Sequence, residues 1–199
     1  EMAYYGKNDA DGNDMHPDQM VVDAVAMLDS IENIDFSDYD TNNDGLIDNI
    51  FVYYAGYGEN ESAPENTIWA HAWEIYDMYV TGKLEYDGKK LSGYACASEL
   101  QGVNGTVMTG IGTFCHEFSH VLGLPDFYVT DYMSKHKTAG DWDIMDSGAY
   151  LNEGNTPPGY SAHERFYPLH RHRQDGSSLL CKAMSPQWNN TFRSRKAHL

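Results

Sequence analysis

The first clear periodicity follows Asp14-Met15-His16-Pro17, where Met20, Val21, Ala24, Val25 and Leu28 recur at three- and four-residue steps. That spacing, with a proline in the first turn, predicts an amphipathic helix of about three to four turns. From Asp38 to Asp48 the chain is rich in Asp, Asn and Gly and has neither period, so a loop is expected. It leads into Ile50-Phe51-Val52-Tyr53-Tyr54-Ala55, an apolar and aromatic run closed by Gly56, which predicts a buried strand. Leu84-Glu85-Tyr86 and Lys89-Lys90-Leu91 flank Asp87-Gly88, a pair that tolerates positive φ and closes a two-residue hairpin. A further strand is expected over Tyr94 to Leu100. Gly102, Gly105, Gly110 and Gly112 lead to Thr113, after which Phe114, Phe118, Val121 and Leu122 mark the apolar face of a helix ended by Gly123. Helices, strands and hairpin together indicate an α+β domain.

Length and composition narrow the class. The 199 residues suffice for one principal domain with its own core. No apolar stretch is long enough to cross a bilayer, and the polar, acidic start lacks the basic and apolar regions of a signal peptide. Glu1-Met2-Ala3-Tyr4-Tyr5-Gly6 reads like the interior of a longer protein, and a removed leader or pro-segment would fit equally well. The net charge of -17 argues against nucleic acid and suits a protein that holds cations. Cys96, Cys115 and Cys181 contain no CxxC pair, so no zinc ribbon is indicated, and one bridge, Cys96 to Cys115, is open.

Charge is unevenly placed. Residues 1–162 carry 6 Lys/Arg against 28 Asp/Glu, whereas residues 163–199 carry 7 against 2. The sign changes near His163.

Two segments carry metal chemistry. In His116-Glu117-Phe118-Ser119-His120 the two imidazoles lie one helical turn apart and can reach a single zinc ion from one face. Glu117 borders that face and is placed to take a proton from metal-bound water as general base. A catalytic zinc site needs a third protein ligand. Gly123 can turn the chain back so that Asp126 reaches the ion; a glutamate from farther along, Glu153 or Glu164, is the alternative. The second segment, Asp40 to Asp48, follows the first nine positions of a calcium loop: oxygen side chains at Asp40, Asn42, Asp44 and Asp48, a carbonyl at Leu46 and glycine at position 6. Position 12 is Phe51 and not glutamate, so the loop is not an EF-hand. Asp9, Asp11 and Asn13 form a weaker candidate, read as a solvated turn. His71, between two tryptophans, is read as structurally hydrogen-bonded and not as a ligand.

His116 to Tyr128, HEFSHVLGLPDFY, resembles the HExxHxxGxxD active site of the M6 metallopeptidases, the immune inhibitor A-like family of secreted bacterial endopeptidases. Ile68-Trp69-Ala70-His71, Asp141 to Tyr150 (DWDIMDSGAY), and Pro158-Gly159-Tyr160-Ser161-Ala162 with Glu164-Arg165 match in the expected order, so the resemblance covers about residues 4–168. It implies a zincin fold similar to that of metzincins, with a twisted sheet and the HExxH helix at the active site. It further implies a methionine turn that sets Met145 beneath the metal, structural Ca2+ beside the catalytic Zn2+, and an extracellular location. Tyr150 and Tyr128 are candidate donors to a tetrahedral oxyanion.

The expected activity is hydrolysis of internal peptide bonds, with protein or peptide substrates laid along an edge strand, for which Tyr94 to Leu100 is the candidate. The alternative is a catalytically incomplete remnant that binds zinc and calcium. Oligomeric state is not legible. After Tyr167 the resemblance stops, where Gly-Trp and further strands would follow. Residues 1–167 are therefore expected to form the catalytic domain, incomplete at both ends. Residues 168–199 are expected to be a non-native tail, with a basic arm or a His-rich metal tract as the alternative.

Overall fold

In the computed structural model, residues 2–32, 34–130 and 136–166 are described, and contacts divide the chain into Glu1–Pro158 and Gly159–Leu199. The expected tail at 168–199 lies outside the described residues.

The first unit is mixed α/β. A short helix α1 (Met2–Tyr5) precedes α2 (Pro17–Ile31), and three strands form the main sheet: β1 (Ile50–Tyr57), β2 (His71–Glu74) and β5 (Gly93–Leu100). A two-residue hairpin, β3 (Glu85–Tyr86) and β4 (Lys89–Lys90), lies between β2 and β5 in the chain, and α3 (Ile111–Val121) follows β5. No helix among the described residues is long and apolar enough to cross a membrane.

Helix α2 begins with Pro17, as the first-turn proline predicts, and buries Met20, Val21, Val22 and Val25. These pack with Phe36, Ile47, Tyr54, Ile68, Tyr94 and Cys96 into one core. Leu28, placed on the apolar face by the period, is instead 38% exposed, and Val22 replaces it. The face that packs is centred on the first half of the helix, where Gln19 also exchanges hydrogen bonds with the backbone of Thr81. The hairpin forms as expected, with Asp87 and Gly88 both at positive φ.

Sheet order is β1-β5-β2, with β5 parallel to β1 and antiparallel to β2. Two expectations are corrected here. Tyr94 to Leu100 is the central strand and not an edge, since both flanks are occupied: Tyr94, Ala95, Cys96 and Ala97 are fully buried between β1 and β2. Ile50 to Ala55 is an edge strand and not a buried one. Within it Tyr54 alone is fully buried, while Tyr53 is 54% exposed. Alternation along β1 sends Tyr54 into the core and Tyr53 to the opposite face, as the two-residue strand period requires. Cys96 and Cys115 are both free thiols, so the bridge left open between them is not formed.

In the second unit, described over 159–166, Ser161 and Glu164 form a capping box. The Ser161 hydroxyl accepts from the Glu164 amide at 3.2 Å, and the Glu164 carboxylate accepts from the Ser161 amide.

Candidate metal centre

Helix α3 carries both histidines. Its C-terminal end is fixed by Gly123, at φ 92°, whose amide donates to the His120 carbonyl at 2.8 Å while Leu124 N donates to Ser119 O at 3.0 Å. A side chain at that φ would be strained, so glycine is what lets the chain reverse there. The reversal brings Asp126 beneath the helix. His116 Nε2 and His120 Nε2 each lie 3.2 Å from the same oxygen, Asp126 Oδ1. Among the described residues these three form the one group of His, Cys, Asp and Glu side chains close enough to share a metal ion.

The opposite ring nitrogens explain the orientation. His116 Nδ1 is 2.8 Å from the Ile144 carbonyl, and His120 Nδ1 is 2.8 Å from the Leu124 carbonyl. A carbonyl can only accept, so each Nδ1 must carry the proton, which leaves both Nε2 lone pairs facing Asp126 when the rings are neutral. Asp126 Oδ1 is buried, and with both rings neutral no hydrogen-bond donor is aimed at it. Such an orphaned acceptor facing two lone pairs is costly unless a cation sits among them. Two imidazoles and one carboxylate form a donor set that fits catalytic zinc.

Electrostatics couple the same groups. Burial opposes charge on both rings, but Asp126 and the carbonyl partners outweigh it and raise the His116 and His120 pKa values. Burial likewise opposes charge on Asp126, yet the two imidazoles hold its carboxyl well below the usual carboxylate range. Glu117 lies between the ligands in sequence and is 7% exposed. Loss of solvation pushes its carboxyl up to about 7, against the pull of His116 and His120.

Met145 is fully buried on the turn that supplies these contacts. Its amide donates to Asp143 Oδ1 at 2.8 Å, its carbonyl accepts from Phe127 N at 2.9 Å, and its neighbour Ile144 holds His116. One turn therefore braces both the first histidine and the loop carrying Asp126. Tyr128 stacks near His116, with ring centroids 6.5 Å apart. Glu153, the alternative third ligand within this unit, is absent from the group and lines a neighbouring pocket instead. Glu164 is held by the Ser161 capping box.

The acidic loop is built differently. Asp40 accepts from the amides of Asp44 and Gly45, each at 3.0 Å, and from Lys89 Nζ at 2.6 Å. Asp44 accepts from Leu46 N and from Asn42 Nδ2, and Asp48 from the amide and hydroxyl of Thr41. The ammonium of Lys89 holds the Asp40 carboxyl below its usual range. The loop gives no support to calcium. Asp9 likewise turns one oxygen to the amides of Asp11 and Asn13. His71 has structural partners, the Trp69 carbonyl at 2.6 Å and the Tyr94 hydroxyl at 2.8 Å.

Sequence reasoning missed strand β2 and the cleft it forms. A cavity of about 420 Å³ runs between His120 and the β2 residues Ala72, Trp73 and Glu74. The alternation across His71-Ala72-Trp73-Glu74 was the available signal, but four residues are too few to separate a strand from a loop.

The immune inhibitor A peptidase M6 catalytic-domain model matches residues 1–173. The chain is 31% identical over 185 residues to Immune inhibitor A of Bacillus thuringiensis subsp. alesti, covering 80% of this chain and 26% of that protein. It is 29% identical over 177 residues to the Pre-pro-metalloprotease PrtV of Vibrio cholerae serotype O1 (strain M66-2), covering 78% of this chain and 19% of that protein. The chain spans about a quarter or less of the length of these curated relatives.

Proposed function

The chain belongs to the immune inhibitor A peptidase M6 family, and from that premise we propose that it is a zinc-dependent metalloendopeptidase whose metal ligands are His116, His120 and Asp126. The observation that carries the reading is the convergence of two Nε2 atoms on the buried Asp126 Oδ1 at 3.2 Å each. Zinc bound there would polarise a scissile carbonyl and acidify the attacking water.

Glu117 is the general base in this reading. Its buried carboxyl, one residue from the first ligand on the same helix, is placed to take up the proton of the attacking water. It accepts the proton of the attacking water and delivers it to the departing amide nitrogen. The Ile144 and Leu124 carbonyls hold the imidazoles in the tautomer that metal binding needs. Met145 packs as an apolar floor and keeps the turn rigid.

Substrate lies along the free edge of β2, antiparallel to β5, where the cavity reaches His120. Main-chain pairing at such an edge orients an extended peptide without reading its sequence. The catalytic domain takes in residues 1–167, within the matched span of 1–173. Action outside the cell follows from the family resemblance.

Metal analysis with casein cleavage tests the reading. One zinc per chain is expected, with cleavage abolished by a chelator and restored by zinc. One zinc without cleavage would mark a metal-holding remnant, and failure to bind zinc would end the assignment.

A further inference from the structure

At Thr113, one turn before Glu117 on α3, a second pocket opens. Its volume is about 250 Å³, and its lining includes Glu61, Thr113, Tyr150 and Glu153, with no Lys or Arg. Thr113 and Glu117 are four residues apart, so both project from the same side of the helix. Burial raises the Tyr150 phenol against the hydrogen bond from Asn60, and the carboxylates of Glu117, Glu61 and Asp126 raise it further. That ring is therefore within electrostatic reach of both the pocket and the metal group.

The pocket walls are fixed. Gly112 N donates to Gly154 O at 2.8 Å, and Gln101 Nε2 donates to Glu153 O at 3.2 Å. Glu153 and Gly154 both take positive φ, which curls the loop against Gly110, where an added Cβ would lie 2.4 Å from Gly154 C. Two groups inside this frame lack a protein partner suited to them. Thr113 is 5% exposed, and its hydroxyl makes no hydrogen bond among the described residues. Glu61 receives the Gly102 amide on Oε2, and its other oxygen has no such donor among the described residues.

We propose that this pocket receives a basic side chain, lysine or arginine, from the substrate residue next to the scissile bond, with Glu61 and Glu153 as charge partners and Thr113 as a hydrogen-bond partner. The inference rests on the endopeptidase reading and names its substrate class. A long cationic side chain fits because its stem can cross the Tyr150 ring while its head meets two carboxylates. An acidic side chain would be repelled by the same pair, and a neutral one would leave Thr113 and Glu61 unpartnered.

Binding separates this proposal from the endopeptidase reading. Two blocked tetrapeptides, identical except for lysine or norleucine at one position, are titrated into the zinc-loaded Glu117→Ala chain by calorimetry, and the pair is repeated with the substitution at each position. At one position the lysine peptide should bind about tenfold more tightly. The Glu61→Gln/Glu153→Gln double variant in the same background should bring that ratio close to one. Equal affinities in the parent at every position, or a ratio unchanged by the double variant, would overturn the proposal. A lysine preference that depends on the two glutamates would uphold it even if the wild-type chain cleaved nothing, and that result would sink the endopeptidase reading alone.

Discussion

Replacing Gly112 with alanine sets helix propensity against packing. In an isolated helix the change would stabilise by about 1 kcal/mol, because glycine is the poorer helix former. Here an added Cβ would lie 1.8 Å from the Ala149 carbonyl oxygen, 2.9 Å from its carbon and 3.1 Å from Gly154 O. Ordinary contact begins near 3.4 Å, so the 149–154 loop must retreat by more than an ångström, and the Gly112 N to Gly154 O bond at 2.8 Å stretches or breaks. Overpacking costs about 1–3 kcal/mol and the lost hydrogen bond about 1 kcal/mol, so the net effect is a destabilisation of roughly 1–3 kcal/mol. For a chain of this size that lowers the thermal midpoint by roughly 2–12 °C. Thermal unfolding followed by circular dichroism reads it, with Gly93→Ala as control because its added Cβ would meet nothing nearer than Trp73 O at 4.0 Å. A Gly112→Ala midpoint at or above wild type would refute the argument that the helix and loop are clamped through this glycine.

Three further predictions follow from charge. Because Asp126 raises the pKa values of His116 and His120, protons should compete with zinc as pH falls; chelator competition should show at least about tenfold weaker binding at pH 5 than at pH 7, and equal affinities would contradict the ligand set. Asp14 is pushed up to about 6 by burial, with Glu59 adding to the rise against the Trp69 amide, so its folded pKa exceeds the unfolded value near 4. Its contribution is present in full below about pH 4 and is lost as pH rises through about 6. Asp14→Asn should flatten that slope by about 1–2 kcal/mol after allowance for partial solvent access, and an unchanged pH dependence of urea midpoints would remove Asp14 from the account. With Lys89 on Asp40, millimolar calcium should leave the wild-type thermal midpoint unmoved, whereas an upward shift would restore the acidic loop as a cation site.

Local patterns in the sequence were enough to locate α2, the Asp87-Gly88 hairpin, the HExxH helix and the Gly123 reversal, since each depends on neighbours within a few residues. The approach of Asp126 to His116 and His120 was legible for the same reason: a glycine three positions earlier supplies the turn. Strand order was not legible, because whether Tyr94 to Leu100 is central or lateral depends on partners more than twenty residues away. The tautomer-setting carbonyls of Ile144 and Leu124 left no trace either, since every residue has a carbonyl. The Glu61 and Glu153 pocket needs two segments about ninety positions apart, and neither has a motif. Lys89 lies forty-nine residues beyond Asp40, so the loop read alone resembled a calcium site.

The most direct test of the central claim is cleavage of quenched fluorescent casein by the zinc-loaded chain and by Glu117→Ala, with zinc quantified in both. The account predicts one zinc per chain in each and cleavage by wild type alone, the variant falling by at least about a hundredfold. Equal cleavage by both proteins, or zinc lost with the glutamate, would contradict the assignment of Glu117 as a base that acts beside the metal without holding it.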